Sequence, residues 1–326
     1  MDGWQAVADA EGLVAVADAH AVGLSAYDLA RLVGAGELLH VRRGWYSLPP
    51  PPMSPDTNHP AEHRRRLHAI QARAQMRAFD GRAVASHHSA LVLSGLPVFA
   101  ADLRQVHLTR SADNQSRRRR GLTVHQHVAG SAHRDLVMEV GVAIVQTGVT
   151  NGSMAALVAA DAAAHRGLVS SEDLARCAAL VKGPHVWRVR HILGQVDGRS
   201  ESPGETRLRH ATGAMRLAST PQFRIEDGAF LAVVDLLLEG SRVVIEFDGF
   251  VKYGRVTSGS MAPTPGDVVF AEKTREDRRA HPSTRTHRPC AARLDDPARM
   301  VRTLCATRRP CAQQPDPPCT SMRCVA

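Results

Sequence analysis

The chain has 326 residues, 44% of them apolar and 4% aromatic, which is enough for two or three domains with cores of alanine, valine and leucine. No segment reaches the ~18 consecutive apolar residues of a membrane span, which excludes a transmembrane helix. The formal net charge of +9 favours a polyanionic partner, most simply DNA, although solvated surface arginines would give the same charge.

The N-terminus and the cysteines indicate the compartment. The first residues, MDGWQAVADAEG, carry acids and no basic leader, so we expect no signal peptide and a cytoplasmic protein. Five of the six cysteines lie beyond residue 289, and no two form a CxxC pair. Because a zinc site usually needs closely spaced ligands, reduced and incidental thiols are expected instead.

Residues 1–48 have the pattern of short helices followed by a hairpin. Two helices are expected at Trp4–Ala10 and Leu13–Ala21. In GLSAYDLARLVGAGEL, Ser25 and Asp28 have the spacing of a helix N-terminal cap, with Asp in place of the usual Glu. LLHVRRGWYSL then has β-prone residues on both sides of an Arg-Arg-Gly turn, which predicts the hairpin.

Helices followed by a basic hairpin are typical of a winged helix-turn-helix. Such a domain places one helix in the major groove of DNA and its wing against the phosphates. The residues expected to contact DNA are Ser25, Tyr27, Arg31, Arg42 and Arg43. The alternative is that Arg31 is only solvated and that the hairpin only packs on the helices.

A proline-rich stretch beginning PPPPMSP predicts a stiff linker over residues 49–60, followed by an α/β region over 61–195. In that region, QVHLTR and LTVHQHV are alternating strands around a loop at Arg117–Arg120, whose arginines either contact phosphate or are solvated. The adjacent His87 and His88 cannot share one face of a helix or strand. A cap or core role is therefore favoured over a metal-binding pair.

The stretch VVDLLLEGSRVVIEFDG, residues 233–249, places three carboxylates in apolar surroundings. An unpaired buried carboxylate costs several kcal/mol, so each needs a partner, a proton or a metal. If Gly240-Ser241 is a two-residue turn, Asp235 lies directly opposite Glu246, and Asp248 shares their face. Mg²⁺ would offset the repulsion among these groups and leave coordination positions for phosphate oxygens.

The first half of the chain resembles a known family. The segments GELLHVRRGWYSLP, VASHHSALVLSGLP and AALVAADAAAHRG occur in the order found in AbiEi-type antitoxins, and the resemblance covers about residues 5–170. It implies a winged helix before a mixed α/β region. It also implies repression of the protein's own operon and pairing with a nucleotidyltransferase toxin.

The second half resembles the very-short-patch-repair-like endonucleases of the PD-(D/E)XK superfamily, through SPGETRLRHA, VVDLLLEG, VVIEFDGFVKYG and FAEKTREDR. The resemblance implies a restriction-endonuclease-like α/β domain with a central mixed sheet over residues 200–304. It implies that Asp235 and Glu246 bind Mg²⁺ and that Glu205 assists. The superfamily lysine is replaced by Asp248, so Lys252 is the candidate substitute and Lys273 a weaker one.

Three of these residues also have structural interpretations. Ser202-Pro203-Gly204-Glu205 has the pattern of a helix N-terminus, so Glu205 fits capping and catalysis equally. Asp248 precedes a glycine and fits a simple turn, and Lys252 fits a solvated lysine.

The sequence departs from the endonuclease pattern after EKTRED. Residues 278–294, RRAHPSTRTHRPCAARL, contain two prolines and no apolar run where the family has a buried strand. A pair of compensating frameshifts across about 279–293 is one hypothesis for this departure. Residues 305–326 are expected to be a disordered tail.

The sequence therefore predicts an α/β protein of several α+β domains. The N-terminal half is expected to bind DNA, and the C-terminal half is expected to hydrolyse phosphodiesters with Mg²⁺. The alternative is a non-catalytic autorepressor or antitoxin whose nuclease-like domain is inactive.

Overall fold

A computed structural model describes residues 3–52, 60–227, 230–240, 243–247 and 285–287. Within these ranges the chain is mixed α and β, as expected. It divides into an N-terminal unit, residues 1–163 with 168–194, and a C-terminal unit, residues 164–167 with 195–326. No helix in the described ranges combines the length and the apolarity that crossing a membrane requires.

The N-terminal unit begins with a small antiparallel sheet and two helices. In chain order these are a 3₁₀ helix (Gly3–Val7), β1 (Leu13–Ala15), α1 (Val16–Ala21), α2 (Ala26–Gly34), β2 (Leu39–Arg42) and β3 (Trp45–Ser47). The strand order is β1-β3-β2. The predicted hairpin is confirmed, because β2 and β3 pair on either side of the Arg43-Gly44 turn.

The helix α2 forms for the reasons expected from its sequence. Ser25 and Asp28 make both hydrogen bonds of a capping box, and Leu29 and Leu32 are buried on one face. They pack in a core with Val14, Ala19 and Leu38. Arg77 and Arg73 of the following helix pair with Asp9 and Glu11, which fixes this small sheet beside the rest of the unit.

Two expectations for this region are wrong. The helix expected at Leu13–Ala21 begins only at Val16, because Leu13–Ala15 pairs with β3 and is buried. The helix expected at Trp4–Ala10 is a shorter 3₁₀ helix. A short apolar run such as LVA fits a strand or a helix equally well, and strand pairing decides between them.

The chain continues through a second, six-stranded sheet and further helices. The elements are α3 (Pro60–Phe79), β4 (Ala83–Ala85), α4 (His87–Leu93), β5 (Val106–Arg110), β6 (Arg117–Arg119), β7 (Leu122–His125), β8 (His133–Arg134), β9 (Val137–Met138), α5 (Val140–Asn151), α6 (Ser153–His165), α7 (Ser171–Leu180) and α8 (Val186–Leu193). The strand order is β6-β7-β5-β4-β9-β8, with β5 and β7 parallel.

The loop expected at Arg117–Arg120 is instead an edge strand with a turn. Arg117–Arg119 pairs antiparallel with β7, and Arg120-Gly121 makes the turn. Gly121 has a φ of +77°, which glycine adopts without steric cost. The three arginines of β6 are exposed.

The C-terminal unit has one described helix packed on a sheet. The helix α9 (Pro203–Ala214) precedes β10 (Ser219–Asp227), β11 (Phe230–Leu238), β12 (Val243–Ile245) and β13 (Arg285–His287), in strand order β10-β11-β12-β13. Leu208 of α9 packs with Leu236, Leu238 and Ile245 in its core. The predicted register of the hairpin is confirmed, because Leu236 lies opposite Ile245.

Part of the stretch expected to lack a strand does form one. Arg285–His287 pairs parallel with β12, through backbone hydrogen bonds that need no apolar side chains. The rest of residues 278–294 and the tail at 305–326 lie outside the described residues, as do residues 53–59 of the expected linker.

Candidate functional site

Of the residues predicted to contact DNA, Tyr27 and Arg31 lie on α2 and Ser25 precedes it. Tyr27 is 77% exposed, and Arg31 is also exposed. The hydroxyl of Ser25 accepts a hydrogen bond from the backbone N–H of Asp28, so Ser25 serves as the helix cap. The hydrogen bonds from Ser25 hold the pKa of Asp28 below its ordinary value.

The hairpin of β2 and β3 contains an arginine in an unusual setting. Arg42 is half-buried, and its Nη1 is buried without a hydrogen-bond partner in the part of the chain that the structure describes. Burial lowers its pKa, and the positive charge of Arg119 on β6 lowers it further. Arg43 is exposed at the turn. This hairpin and the edge strand β6 therefore lie close enough for Arg42 and Arg119 to interact electrostatically.

In the C-terminal unit, Glu205 has a structural role. It is 8% exposed, and its carboxylate accepts hydrogen bonds from the Ser202 hydroxyl (2.7 Å), the Glu201 N–H (2.9 Å) and the Gln222 amide (3.0 Å). Its own N–H donates to the Ser202 hydroxyl, which caps α9. The helix-start interpretation is therefore confirmed for this segment, with Ser202 as the cap of α9 and the Glu205 carboxylate accepting from the Ser202 hydroxyl and the Glu201 N–H.

The other two described carboxylates lie on neighbouring strands. Continuing the register of β11 and β12 by one pair places Asp235 opposite Glu246. Asp235 Oδ2 accepts a hydrogen bond of 2.7 Å from the N–H of Phe247, whose ring packs on Gly204 at the start of α9. Asp248, Lys252 and Lys273 lie outside the described residues.

A third candidate site is a group of neighbouring histidine side chains in the N-terminal unit. His87 follows β4, His107 lies on β5 and His125 lies on β7, and one ring nitrogen of each lies within 4.8 Å of the other two. His107 Nδ1 and His125 Nε2 are 2.9 Å apart, and the rings of His87 and His125 stack at 3.8 Å between centroids. We call these three residues the histidine cluster.

The histidine cluster lies in a buried polar layer. Gln146 of α5 accepts a hydrogen bond from the His87 N–H and donates one to Thr109. Burial, followed by neighbouring histidines, lowers the pKa of His107 to about 3 and that of His87 well below its ordinary value. Burial likewise lowers the pKa of His125 to about 4. The imidazoles are therefore neutral at neutral pH, and each ring has one lone pair, one of which accepts the hydrogen bond between His107 and His125.

Among the described residues, the histidine cluster is the one group of three or more His, Cys, Asp or Glu side chains with this spacing. Glu205, Asp235 and Glu246 do not form such a group. His87 lies beside His107 and His125, a proximity that was not predicted from the sequence. The available signal was the histidine in each of QVHLTR and LTVHQHV, whose proximity depends on the parallel pairing of β5 and β7.

No family model matches this sequence, and a comparison with curated proteins finds no match. The geometry of the β2–β3 hairpin, of Asp235 and Glu246 on neighbouring strands, and of the histidine cluster is therefore what supports a function for the chain.

Proposed function

We propose that this protein binds double-stranded DNA through a winged helix-turn-helix formed by residues 1–48. The order of helices and strands, and the sheet order β1-β3-β2, fit that architecture. The helix α2 would enter the major groove with Tyr27 and Arg31. The hairpin of β2 and β3 would be the wing.

The observation that carries this proposal is the environment of Arg42. Its Nη1 is buried without a hydrogen-bond partner among the described residues, and Arg119 adds a second positive charge nearby. Burying an unpaired polar group and bringing like charges together both cost free energy. A phosphate oxygen would accept the hydrogen bond and offset the repulsion, since guanidinium groups bind phosphate with directed hydrogen bonds.

The basic edge strand extends this surface. Arg117, Arg118 and Arg119 are exposed on β6, and the chain as a whole has a net charge of +9. Contacts from such residues to phosphates position a protein on DNA without reading its sequence, and α2 would supply base contacts. The wing and β6 together would therefore follow the DNA backbone on one side of the recognition helix.

The experiment is a gel-shift assay with the full chain on a randomised duplex library, followed by selection of bound sequences. We expect shifted complexes that persist in EDTA, because this binding uses no metal. A chain that gives no shift at low salt on any duplex would contradict the proposal. Repression of the protein's own operon and pairing with a nucleotidyltransferase toxin follow only from the resemblance to AbiEi-type antitoxins, and they are tested by placing the selected sequence upstream of a reporter.

A second candidate function is Mg²⁺-dependent phosphodiester hydrolysis by the C-terminal unit. The hairpin register that brings Asp235 and Glu246 to opposite positions favours it. These two residues would hold the ion, which would activate a water and neutralise charge on the phosphate. Glu205 would support the site only indirectly, because its carboxylate already accepts hydrogen bonds from Ser202, Glu201 and Gln222.

This second function predicts a specific pattern of nicking. With supercoiled DNA and Mg²⁺, the wild type is expected to nick, and Asp235→Ala and Glu246→Ala are expected to lose at least ~100-fold of the rate. Glu239→Gln, in the same hairpin, is the matched control and keeps the wild-type rate. If the wild type does not nick DNA, the second function is contradicted and the protein is a non-catalytic DNA-binding protein.

A further inference from the structure

The geometry points to a transition-metal site formed by His87, His107 and His125, and we propose that it binds one Zn²⁺ through three imidazole nitrogens. This site lies wholly in the N-terminal unit and is separate from the carboxylates of the C-terminal unit. It also does not depend on DNA binding, since none of the three histidines lies on α2 or on the wing.

The spacing of the three rings is close to what zinc requires. Zn–N distances of about 2.0–2.1 Å in a tetrahedral site place ligand nitrogens about 3.4 Å apart. The ring nitrogens of the histidine cluster already lie within 4.8 Å of one another, and those of His107 and His125 are 2.9 Å apart. Small side-chain rotations would therefore bring all three onto one ion, with no change in the sheet.

The surroundings hold these rings in place in the way that metal ligands are usually held. The hydroxyl of Ser86 lies 3.0 Å from His87 Nδ1, which leaves Nε2 of that ring for an ion. Ser89 accepts a hydrogen bond from the backbone N–H of His107. His107 and His125 lie on adjacent strands of one sheet, so their separation is fixed by backbone pairing.

The backbone conformation of His87 is a further indication of a functional site. Its φ is +51°, in the left-handed region, although it is not a glycine. Such a conformation costs of order 1–3 kcal/mol and is retained where the surrounding structure requires it, often at functional sites. Here it begins α4 while the ring of His87 stacks on that of His125.

A hydrogen-bonded core explains less of this arrangement. The hydrogen bond between His107 and His125 accounts for two of the three rings, whereas the His87 ring stacks on that of His125 and hydrogen-bonds to Ser86. One ion would engage all three nitrogens at once. Imidazoles without carboxylates suit Zn²⁺, Co²⁺, Ni²⁺ or Cu²⁺ rather than Mg²⁺ or Ca²⁺.

The site would keep a fourth position for water or another small ligand. No Cys, Asp or Glu among the described residues joins the histidine cluster. Three protein ligands and one exchangeable ligand are the arrangement that polarises a bound water, whereas purely structural zinc sites use four protein ligands.

The test uses the full chain without an affinity tag, freed of metal with a chelator and titrated with Co²⁺. We expect one equivalent to bind with a dissociation constant below about 1 µM and to produce visible d–d absorption. Thiolate charge-transfer bands are expected to be absent, which separates this site from the cysteines. His107→Asn and His125→Asn are expected to lose binding at least tenfold. His133→Asn, at an exposed position on β8 of the same sheet, is the matched control and binds as the wild type does.

A second measurement keeps the proposal falsifiable if either variant fails to fold. X-ray absorption of the wild type loaded with one equivalent of Zn²⁺ is expected to show three imidazole nitrogens in the first shell. A shell of sulfur or of oxygen only, no stoichiometric binding by the wild type, or equal binding in folded His107→Asn would each overturn the proposal. Nicking and gel-shift results would be unaffected by these outcomes.

Discussion

At the scale of single residues, the N-terminal unit buries several side chains that can carry a charge, and burial shifts their pKa values. His68 of α3 is fully buried, and its ring nitrogens contact the Leu103 carbonyl and the Ser89 hydroxyl. Burial lowers its pKa to about 4, while the carbonyl of Leu103 opposes that shift. Arg42 shows the same desolvation for a group that cannot lose its charge at neutral pH, which is why an anion is the expected partner.

The buried state of His68 predicts a pH dependence. Its folded pKa of about 4 lies below the usual value of 6.5, so the unfolded chain binds a proton first as the pH falls. This contribution to stability is therefore complete above pH 6.5 and is lost between about 6.5 and 4. Over that window, His68→Gln is expected to reduce the slope of unfolding free energy against pH by up to ~1.4 kcal/mol per pH unit.

Urea unfolding at several pH values measures this slope. His63→Gln, an exposed histidine of the same helix, is the control and is expected to leave the slope as in the wild type. Equal slopes in the wild type and His68→Gln would mean that the folded protein binds a proton at His68 as readily as the unfolded chain does.

At the scale of elements, helix packing in the N-terminal unit depends on close approach at a glycine. A Cβ added to Gly148 of α5 would lie 2.7 Å from the Ala156 Cβ and 2.9 Å from the Val189 Cγ2. Both distances are too short for carbon atoms, so α6 or α8 would have to move. Overpacking of this kind costs roughly 1–3 kcal/mol.

Gly148→Ala is therefore expected to lower the free energy of unfolding by about 1–3 kcal/mol, read as a fall in the midpoint of thermal unfolding. Gly34→Ala at the end of α2 is the matched control, because nothing lies within 4 Å of its added methyl group. It is expected to be neutral or to stabilise by up to about 1 kcal/mol. An unchanged midpoint for Gly148→Ala would show that the three helices can separate at little cost.

Local sequence rules predicted the elements that local interactions determine. The cap of α2 needs only Ser25 and Asp28, and the β11–β12 register follows from the turn at Gly240. The strand at Leu13–Ala15 was missed because pairing with the distant β3 overrides its own preference. The strand at Arg117–Arg119 was missed because the run of arginines was interpreted as a loop, although the turn at Arg120-Gly121 pairs it with the adjacent β7.

The histidine cluster was missed for a related reason. His107 and His125 approach one another only because β5 and β7 pair in parallel, and a parallel register cannot be read from a turn. His87 then reaches them through the β4–α4 connection, which was predicted only as a place for a cap or core histidine.

At the scale of the whole molecule, the two units separate the proposed functions. The wing, the basic edge strand and the histidine cluster belong to the N-terminal unit, whereas Asp235 and Glu246 belong to the C-terminal unit. A net charge of +9 gives the chain as a whole an attraction to DNA that salt weakens. Variants in one unit are therefore expected to leave the function of the other intact, and DNA affinity must be measured against salt concentration.

The most direct test of the DNA-binding proposal is the salt dependence of affinity for one duplex, in the wild type and in Arg42→Ala with Arg119→Ala. Each lost phosphate contact is expected to reduce the magnitude of the slope of log affinity against log salt by about 1. The slope of the double variant is therefore expected to be smaller by about 2, and its affinity is expected to be lower at every salt concentration. Arg134→Ala, an exposed arginine at the opposite edge of the same sheet, is the control and is expected to keep the wild-type slope. An unchanged slope and affinity in a folded double variant would contradict the proposal that the wing and β6 bind the DNA backbone.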